Sequence, residues 1–157
     1  MSKSLALVNG DLQIGSGRSY EIVTGREKLR QDLTLWLLTR VGQDPMTPTY
    51  GSRLDGGVIG GQNIPSFIGQ IATMDSSNQI RIEVLDLLTE YQNMQLDKIR
   101  NETLLYRGKN TLEADEVIDS IESVDVTQVG TTILVRVVLI TLGRTSLKIT
   151  LPIATEA

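Results

Sequence analysis

Three apolar segments near the C-terminus limit this chain to folds that contain an antiparallel sheet. Residues 132–142 are apolar at almost every position, whereas residues 144–153 alternate apolar with polar side chains. Residues 121–129 form a third alternating segment, and Gly130 and Gly143 separate the three. Alternation indicates a strand with one buried face, and a strand that is apolar on both faces is usually central. We therefore predict a three-stranded antiparallel meander in this order along the chain, with 132–142 in the middle.

Two residues in these strands indicate which parts of the meander are exposed. Pro152 has no N–H, which suits the edge or the end of a strand. Arg136 stands among apolar neighbours, and two interpretations are open. The side chain is either buried and paired, because an isolated buried charge is costly, or it lies on a face of the sheet that nothing covers. We favour the uncovered face.

The strongest helix signal follows the first twenty-odd residues. Thr24 and Glu27 have the spacing of a capping box, in which each side chain satisfies a backbone N–H at the other position. Apolar residues then recur at helical spacing: Leu29, Leu33, Trp36 and Leu37. We expect Arg40 in the last turn, where a cation meets the negative end of the helix dipole. Gly42 is expected at the C′ position, with Pro45 as the stop.

Three further regions predict helical structure. Pro65 suits the first position of a short helix. The apolar residues of that helix would be Phe67, Ile68, Ile71 and Ala72. Residues 75–77 are expected to break it and to offer new caps. A longer helix is expected from Ile80 to about Met94, and residues 112–120 predict a short acidic helical turn.

The remaining segments predict turns. Asn9-Gly10 lies between two short alternating runs and predicts the type I′ turn of a hairpin. Four glycines in residues 55–65 predict a connector without regular structure. The chain is therefore predicted to be one α+β domain over residues 1–157, with an N-terminal β-hairpin, two to three helices and a C-terminal three-stranded antiparallel meander. The parts are the hairpin and its following loop at 1–23, the helical part at 24–94 and the meander at 120–154.

The composition argues against several classes of function. The 157 residues contain no cysteine and no histidine, which removes the commonest general base, the thiolate nucleophile and the usual zinc ligands. The net charge of −4 argues against nucleic acid as a partner. The sequence has no signal-peptide core and no apolar run long enough for a membrane span, so we expect a soluble intracellular protein. Neither a metal nor another cofactor is expected.

Three clusters could carry chemistry, and each also has an ordinary structural interpretation. Four acids lie close together, namely Glu113, Asp115, Glu116 and Asp119, and such a run is usually a solvated face. The glycines of residues 56–61 lack the Gly-Lys-Ser/Thr ending of a phosphate loop. Basic residues surround the first predicted helix and its exit: Arg26, Lys28, Arg30, Arg40 and Arg53. They are either plain surface charge or a docking patch for an acidic partner.

The run GREKLRQDLTLWLLTRVGQDPMTPTYGSRL, residues 25–54, resembles the signature of the sheath-initiator wedge family of contractile tails. That family includes baseplate wedge proteins of contractile phages, with relatives in R-type pyocins and type VI secretion baseplates. The matching residues are Thr24, Glu27, Leu29, Arg30, Gln31, Gly42, Pro45, Pro48, Tyr50 and Gly51. Residues 124–126 and 131–140 also resemble the family's closing strands. Many members carry Glu-Pro-Arg where the long helix enters the sheet, and this chain does not.

The resemblance implies a non-enzymatic structural component of a tail baseplate, located in the virion and assembled in the host cytoplasm. Implied partners are baseplate wedge proteins and the tail sheath protein, with tube or hub proteins as further candidates. Several copies would occur in each sixfold baseplate, with no contact to nucleic acid or membrane. The protein would bridge wedge scaffold proteins and template the first ring of sheath.

The surface that would contact partners has two candidate parts. One is the basic set Arg26, Lys28, Arg40 and Arg53, and the other is the last strand with Leu147, Ile149 and Leu151. An exposed edge of that strand could accept a strand from the sheath. Two alternatives stay open: a tail-associated glycan hydrolase, because the family was once labelled lysozyme-like, and a small non-enzymatic binding module.

Overall fold

The computed structural model describes residues 3–8, 11–14, 21–64, 74–105 and 112–154. The N-terminal strands are β1 (Ser4–Leu5), β2 (Leu7–Val8), β3 (Asp11–Leu12) and β4 (Ile22–Val23). Helix α1 (Gly25–Leu38) leads to β5 (Arg40–Val41), β6 (Ser52–Ile59) and β7 (Gln62–Ile64). Helix α2 (Met74–Leu105) is followed by a single 3-10 turn (Ala114–Glu116), called the junction turn below, and by β8 (Ile118–Val129), β9 (Thr132–Thr141) and β10 (Ser146–Ala154). The predicted α+β class is confirmed.

The C-terminal sheet is an antiparallel meander with the strand order β10-β9-β8. The strand that is apolar on both faces, β9, is central, as its sequence predicted. The strand boundaries differ from the predicted ones by a few residues at most, because β8 begins at Ile118 and β10 runs from Ser146 to Ala154. Arg136 is exposed on the face opposite to the buried Val135 and Val137, which confirms the uncovered-face interpretation.

The hydrophobic core lies between the two helices and the other face of this sheet. Helix α1 contributes Leu29, Leu33, Trp36 and Leu37, and α2 contributes Ile80, Val84, Leu87 and Leu88. The sheet contributes Val135, Val137 and Leu139 from β9 and Leu147, Ile149 and Leu151 from β10. Each fully buried aliphatic side chain of this kind stabilises the fold by about 1.5–3 kcal/mol. The rings of Trp36 and Tyr91, with centroids 5.2 Å apart, join the two helices.

Helix α2 is much longer than predicted. Residues 75–77 lie in its first turns instead of breaking a helix, and the helix continues past Met94 to Leu105. The part of the helix after Gln95 is mostly exposed, so the apolar period ends there although the helix does not. Pairs at helical spacing, such as Lys98 with Glu102 at 4.0 Å, accompany this part. No helix among the described residues is long and apolar enough to cross a membrane.

The prediction of a connector without regular structure at residues 55–65 is wrong for residues 55–64, which the structure describes. Residues 55–59 and 62–64 belong to β6 and β7, with Gly60 and Gly61 in the turn between them. These strands form a small three-stranded sheet with β5, so the segment 24–94 is not purely helical. Gly57 has φ +150°, and a Cβ there would lie 2.2 Å from the carbonyl oxygen of Val41 in β5. Glycine is therefore needed for close approach of two strands, a role that composition alone does not reveal.

The start of α1 is capped differently from the prediction. Thr24 is the N-cap residue, but its side chain makes no capping hydrogen bond, and Glu27 instead forms an ion pair with Arg30 at 2.7 Å. The predicted capping box is therefore wrong. The N–H of Gly25 donates at 3.4 Å to the Glu116 carboxylate, 91 residues further along the chain. A carboxylate at this position also meets the positive end of the helix dipole.

The junction turn connects both helices and the sheet through buried polar groups. Glu116 is only 1% exposed, so the predicted solvated acidic face is wrong for this residue. The Gln95 amide of α2 donates to the Glu116 carbonyl at 2.7 Å and accepts from the Ile118 N–H at 3.0 Å. The Asp115 carboxylate accepts from the hydroxyls of Thr141 and Thr145, in the turn between β9 and β10. One short segment thus holds α1, α2 and the β9–β10 turn.

The N-terminal strands pair as β2 with β3 and β1 with β4, both antiparallel, which confirms the predicted hairpin. The turn residues Asn9 and Gly10 and the short helix predicted after Pro65 lie outside the described residues. Gln31 of α1 holds this region in place. Its amide donates to the Leu5 carbonyl at 2.8 Å and accepts from the Leu7 N–H at 2.9 Å.

Replacing Gln95 tests the importance of the junction turn. We expect Gln95→Ala to lower the free energy of unfolding by about 2–4 kcal/mol, because a buried N–H and a buried carbonyl each lose their partner. Urea denaturation followed by circular dichroism measures this. Gln79→Ala is the matched control, since Gln79 is exposed on the same helix, and its cost should stay within about 0.5 kcal/mol. Equal stability losses for both variants would contradict this role.

Candidate functional site: the exit of the first helix and the edge of the last strand

The residues that resemble the wedge family lie along the first half of α1 and in the segment that follows its C-terminal end. The helix ends at Leu38 because Thr39 is extended, with φ −82° and ψ 130°. The Thr39 N–H donates to the Leu35 carbonyl at 3.0 Å, and the buried Ser52 hydroxyl donates to the Leu37 carbonyl at 2.5 Å. The last carbonyls of α1 are thus satisfied by Thr39 and by the first residue of β6. Ser52 had no signal in the sequence that identified it as a cap.

Arg40 and Gly42 do not have the predicted roles in ending the helix. Arg40 lies in β5, beyond the last helical turn, where it pairs with Ser52 in the parallel β5–β6 register. Gly42 does have φ +75°, but it comes after β5 and not at the C′ position. A Cβ there would lie 2.1 Å from the Val58 carbonyl oxygen, so glycine allows the chain to pass against β6.

The loop between β5 and β6 is organised by Asp44, which the sequence analysis did not single out. One carboxylate oxygen accepts from the Met46 N–H at 2.9 Å and the other from the Thr47 hydroxyl at 2.7 Å. These bonds, the Thr47 hydroxyl first, hold the pKa of Asp44 below its ordinary value. Pro45 lies inside this Asx-type turn, whose signal was the Asp-Pro dipeptide. Met46 at the loop tip is 89% exposed.

A small pocket lies between this loop, both helices and the junction turn. It has a volume of about 210 Å³, and its polar lining includes Lys28, Asp32, Tyr50, Tyr91, Lys98 and Glu116. Burial, with a further contribution from Asp32, raises the pKa of both tyrosines above their ordinary value. Lys28 and Asp32 form an ion pair across one turn of α1. Charged groups that line the pocket thus pair with each other. The pocket is also smaller than ordinary ligand sites.

The basic residues predicted as a docking patch each interact with a different group of the protein. Lys28 pairs with Asp32, Arg53 pairs with Glu83 at 3.0 Å, and Arg26 donates to the Ser146 carbonyl at 3.3 Å. Arg40 also has a partner. These residues are dispersed among side-chain and backbone acceptors of the protein itself, which favours the interpretation as ordinary structural charge.

The prediction that apolar residues of the last strand form a partner interface is wrong. Leu147, Ile149 and Leu151 are 0%, 3% and 0% exposed, and they face the core. The alternation of β10 correctly indicated one buried face, and these residues form it. Any contact along β10 must therefore use its main chain and the residues between them.

The backbone of β10 has an open edge. The Thr141 N–H donates to the Thr145 carbonyl at 3.0 Å, which makes these two residues a hydrogen-bonded pair. Such pairs alternate with non-bonded ones along an antiparallel ladder. In the β9–β10 register, Lys148 opposite Val138 and Thr150 opposite Arg136 are therefore non-bonded pairs. The N–H and C=O groups of Lys148 and Thr150 consequently point away from β9, and within the described residues no strand pairs with them.

Arg26 limits one end of this open edge and Pro152 limits the other. The carbonyl of Ser146 points outward by the same alternation and accepts from Arg26. Pro152, which has no N–H to offer, occupies the next outward position after Thr150. The open edge of β10 is therefore a short stretch centred on Lys148 and Thr150. At the other edge of the sheet, Gln92 and Gln95 of α2 bond to the backbone at the start of β8 only, and no described strand pairs with the rest of that edge.

Comparisons with known proteins support the fold and nothing finer. No protein-family model and no curated protein matches the sequence. Among solved structures, the fold is similar to one described as "putative tail lysozyme from Geobacter sulfurreducens", with 13% identity and a TM-score of 0.51. The match covers 83% of this chain and 91% of that one. At the level of the fold, this chain is similar to a tail protein. An identity this low carries no residue roles across.

The two positive-φ glycines Gly42 and Gly60 form a matched pair for testing the exit loop. Gly60, at φ +58°, has open space where a Cβ would be, so Gly60→Ala should cost only the backbone penalty of about 1–2 kcal/mol. Gly42→Ala adds a collision with the β6 backbone and should cost about 2–5 kcal/mol in total. Thermal or urea unfolding of both variants measures the difference. Equal costs would show that the chain at Gly42 does not pass this close to β6.

Proposed function

We propose that the protein is a non-enzymatic structural component of a contractile-tail baseplate. It would bridge wedge scaffold proteins and template the first ring of tail sheath, with several copies in each sixfold baseplate of the virion. Tube or hub proteins are further candidate neighbours. Support comes from the fold, which is similar over most of both chains to a protein described as a tail lysozyme. The resemblance of residues 25–54 to the sheath-initiator family adds to this support.

The observation that carries the proposal is the open edge of β10. Exposed sheet edges invite pairing, and proteins usually protect them. Here Gln92 and Gln95 bond to the start of β8, and Gln31 bonds to the N-terminal strands, whereas no strand among the described residues pairs with the outward main-chain groups of Lys148 and Thr150. A strand from a sheath subunit could add to this edge by main-chain hydrogen bonds. Arg26 and Pro152 would limit its extent.

Proline at position 150 tests strand addition without removing any core side chain. Thr150→Pro removes an N–H that β9 does not use, and Pro152 shows that proline fits this orientation in β10. We expect sheath assembly on isolated baseplates to fall about tenfold or more, since a main-chain bond is lost and the pyrrolidine ring occupies the partner's position. Electron microscopy of assembled sheaths measures the yield.

Thr150→Ala is the control, because it changes the side chain and keeps the N–H. It should assemble sheath normally. Normal assembly with Thr150→Pro, in protein whose unfolding curve matches that of the control, would refute strand addition at this edge. Deleting residues 144–157 would be a poorer test, because the deletion removes Leu147, Ile149 and Leu151 from the core.

A glycan hydrolase is the second candidate, because the similar structure is described as a tail lysozyme and because two carboxylates, Asp32 and Glu116, line one pocket. Glycosidases need two carboxylates across a cleft that admits the sugar. The pocket, however, measures about 210 Å³. Asp32 is paired with Lys28, and both Glu116 oxygens accept backbone N–H groups, from Gly25 and Glu113. These contacts favour structural roles for both acids.

Incubation with peptidoglycan decides between the two candidates. We expect no release of soluble fragments above the level of a heat-inactivated sample, because both carboxylates serve internal contacts. Measuring reducing ends over several hours provides the readout, and Asp32→Asn provides a matched variant. Sustained turnover by the purified protein that Asp32→Asn abolishes, while the fold is retained, would establish the enzymatic alternative.

A further inference from the structure

A second surface carries positive charge that no group in the described part of the chain pairs with. It is a groove of about 370 Å³ between the first turns of α2 and the strands β8 and β9. Its polar lining comprises Ser77, Asn78, Arg81, Asp125, Thr127 and Arg136. It lies on other elements than the β10 edge and outside residues 25–54, the run that resembles the signature of the wedge family.

The two arginines of this groove differ from the arginines around α1. Arg26 and Arg30 are bonded to groups of the protein itself, whereas Arg81 and Arg136 have no ion pair and no hydrogen bond within the described part of the chain. Both side chains are exposed. Asp125 stands directly opposite Arg136 in the β8–β9 register, yet the two side chains form no ion pair. The groove therefore offers two unused guanidinium groups beside one carboxylate.

We infer that this groove, the arginine groove, binds an acidic segment of a partner protein through Arg81 and Arg136. Guanidinium groups pair preferentially with carboxylates, and here they come from two elements, α2 and β9, so the site selects more than one carboxylate. Ser77, Asn78 and Thr127 add neutral hydrogen-bonding groups along the same groove. Charge complementarity of this kind gives specificity and speeds association.

A protein segment fits this groove better than nucleic acid does. The chain as a whole carries a net charge of −4, which repels a polyanionic backbone approaching over a wide surface. None of the groove residues is aromatic, so bases would have no stacking platform. A short acidic peptide places its charge only at the two arginines. The inference rests on the proposed assembly role only in taking the partner to be another protein.

Fluorescence anisotropy with a labelled hexapeptide of alternating aspartate and glutamate tests the arginine groove. We expect the unmodified protein to bind this probe at low salt, and more weakly as salt increases. Arg81→Gln and Arg136→Gln should each weaken binding about fivefold, the effect expected for one exposed charge pair. Arg100→Gln is the control, because it removes the same charge about 28 Å away along α2.

Three outcomes would overturn the inference: no binding of the probe by the unmodified protein, equal losses in all three variants, or tighter binding of an oligothymidine of the same length. Equal losses would show that the probe responds only to the net charge of the protein. Tighter binding of oligothymidine would show that the groove is a nucleic-acid site. The assay does not involve β10 or sheath. Failure here would leave the baseplate proposal intact, and failure of the sheath assay with Thr150→Pro would leave the arginine groove intact.

Discussion

The fold depends on one side-chain amide, that of Gln95 in α2. Its N–H and its oxygen bond to the backbone on both sides of Val117, where the chain changes from the junction turn to β8. These bonds fix the turn that presents Glu116 to the start of α1 and Asp115 to the β9–β10 turn. Because the backbone groups are buried, no water replaces the amide if it is lost. Helix, turn and sheet are thus ordered together.

Glutamine side chains from the helices also bond to the backbone of other strands, and this makes the open edge of β10 a candidate contact surface. Gln31 bonds to the backbone of the N-terminal strands, and Gln92 supports the start of β8. Each of these glutamines protects backbone groups that an edge strand would otherwise leave open. Among the described residues, helix side chains thus bond to the N-terminal strands and to the start of β8, whereas none bonds to the main chain of Lys148 and Thr150 in β10. An edge left open in this way is suited to completion by another chain.

Sequence periodicity predicted the elements whose stability comes from a regular apolar face. The meander and α1 were found because their side chains alternate or recur against the core. Periodicity could not find the last part of α2, residues 95–105, because nearly all of it after Gln95 is exposed and has no apolar face to repeat. It also could not find β6 and β7, where glycines such as Gly57 serve close strand approach and resemble a loop in composition.

The candidate site was only partly predictable, for a related reason. The Asp-Pro turn and the helix exit have local signals, whereas the Glu116 contact with Gly25 joins residues 91 positions apart. No local pattern encodes such a partner. The interface prediction for Leu147, Ile149 and Leu151 did not distinguish the side-chain faces of a strand from its backbone edge. Alternation indicates which side chains are buried, but the exposed edge is a property of the backbone and of which neighbours the strand lacks.

The central claim is that β10 is completed by a strand from another chain in an assembled tail. A density map of the isolated tail at side-chain resolution tests it most directly. The account predicts a foreign strand paired with β10, with hydrogen bonds to the N–H and C=O groups of Lys148 and Thr150 and an end near Pro152. A map in which this edge faces solvent, or is covered only by side chains, would contradict it.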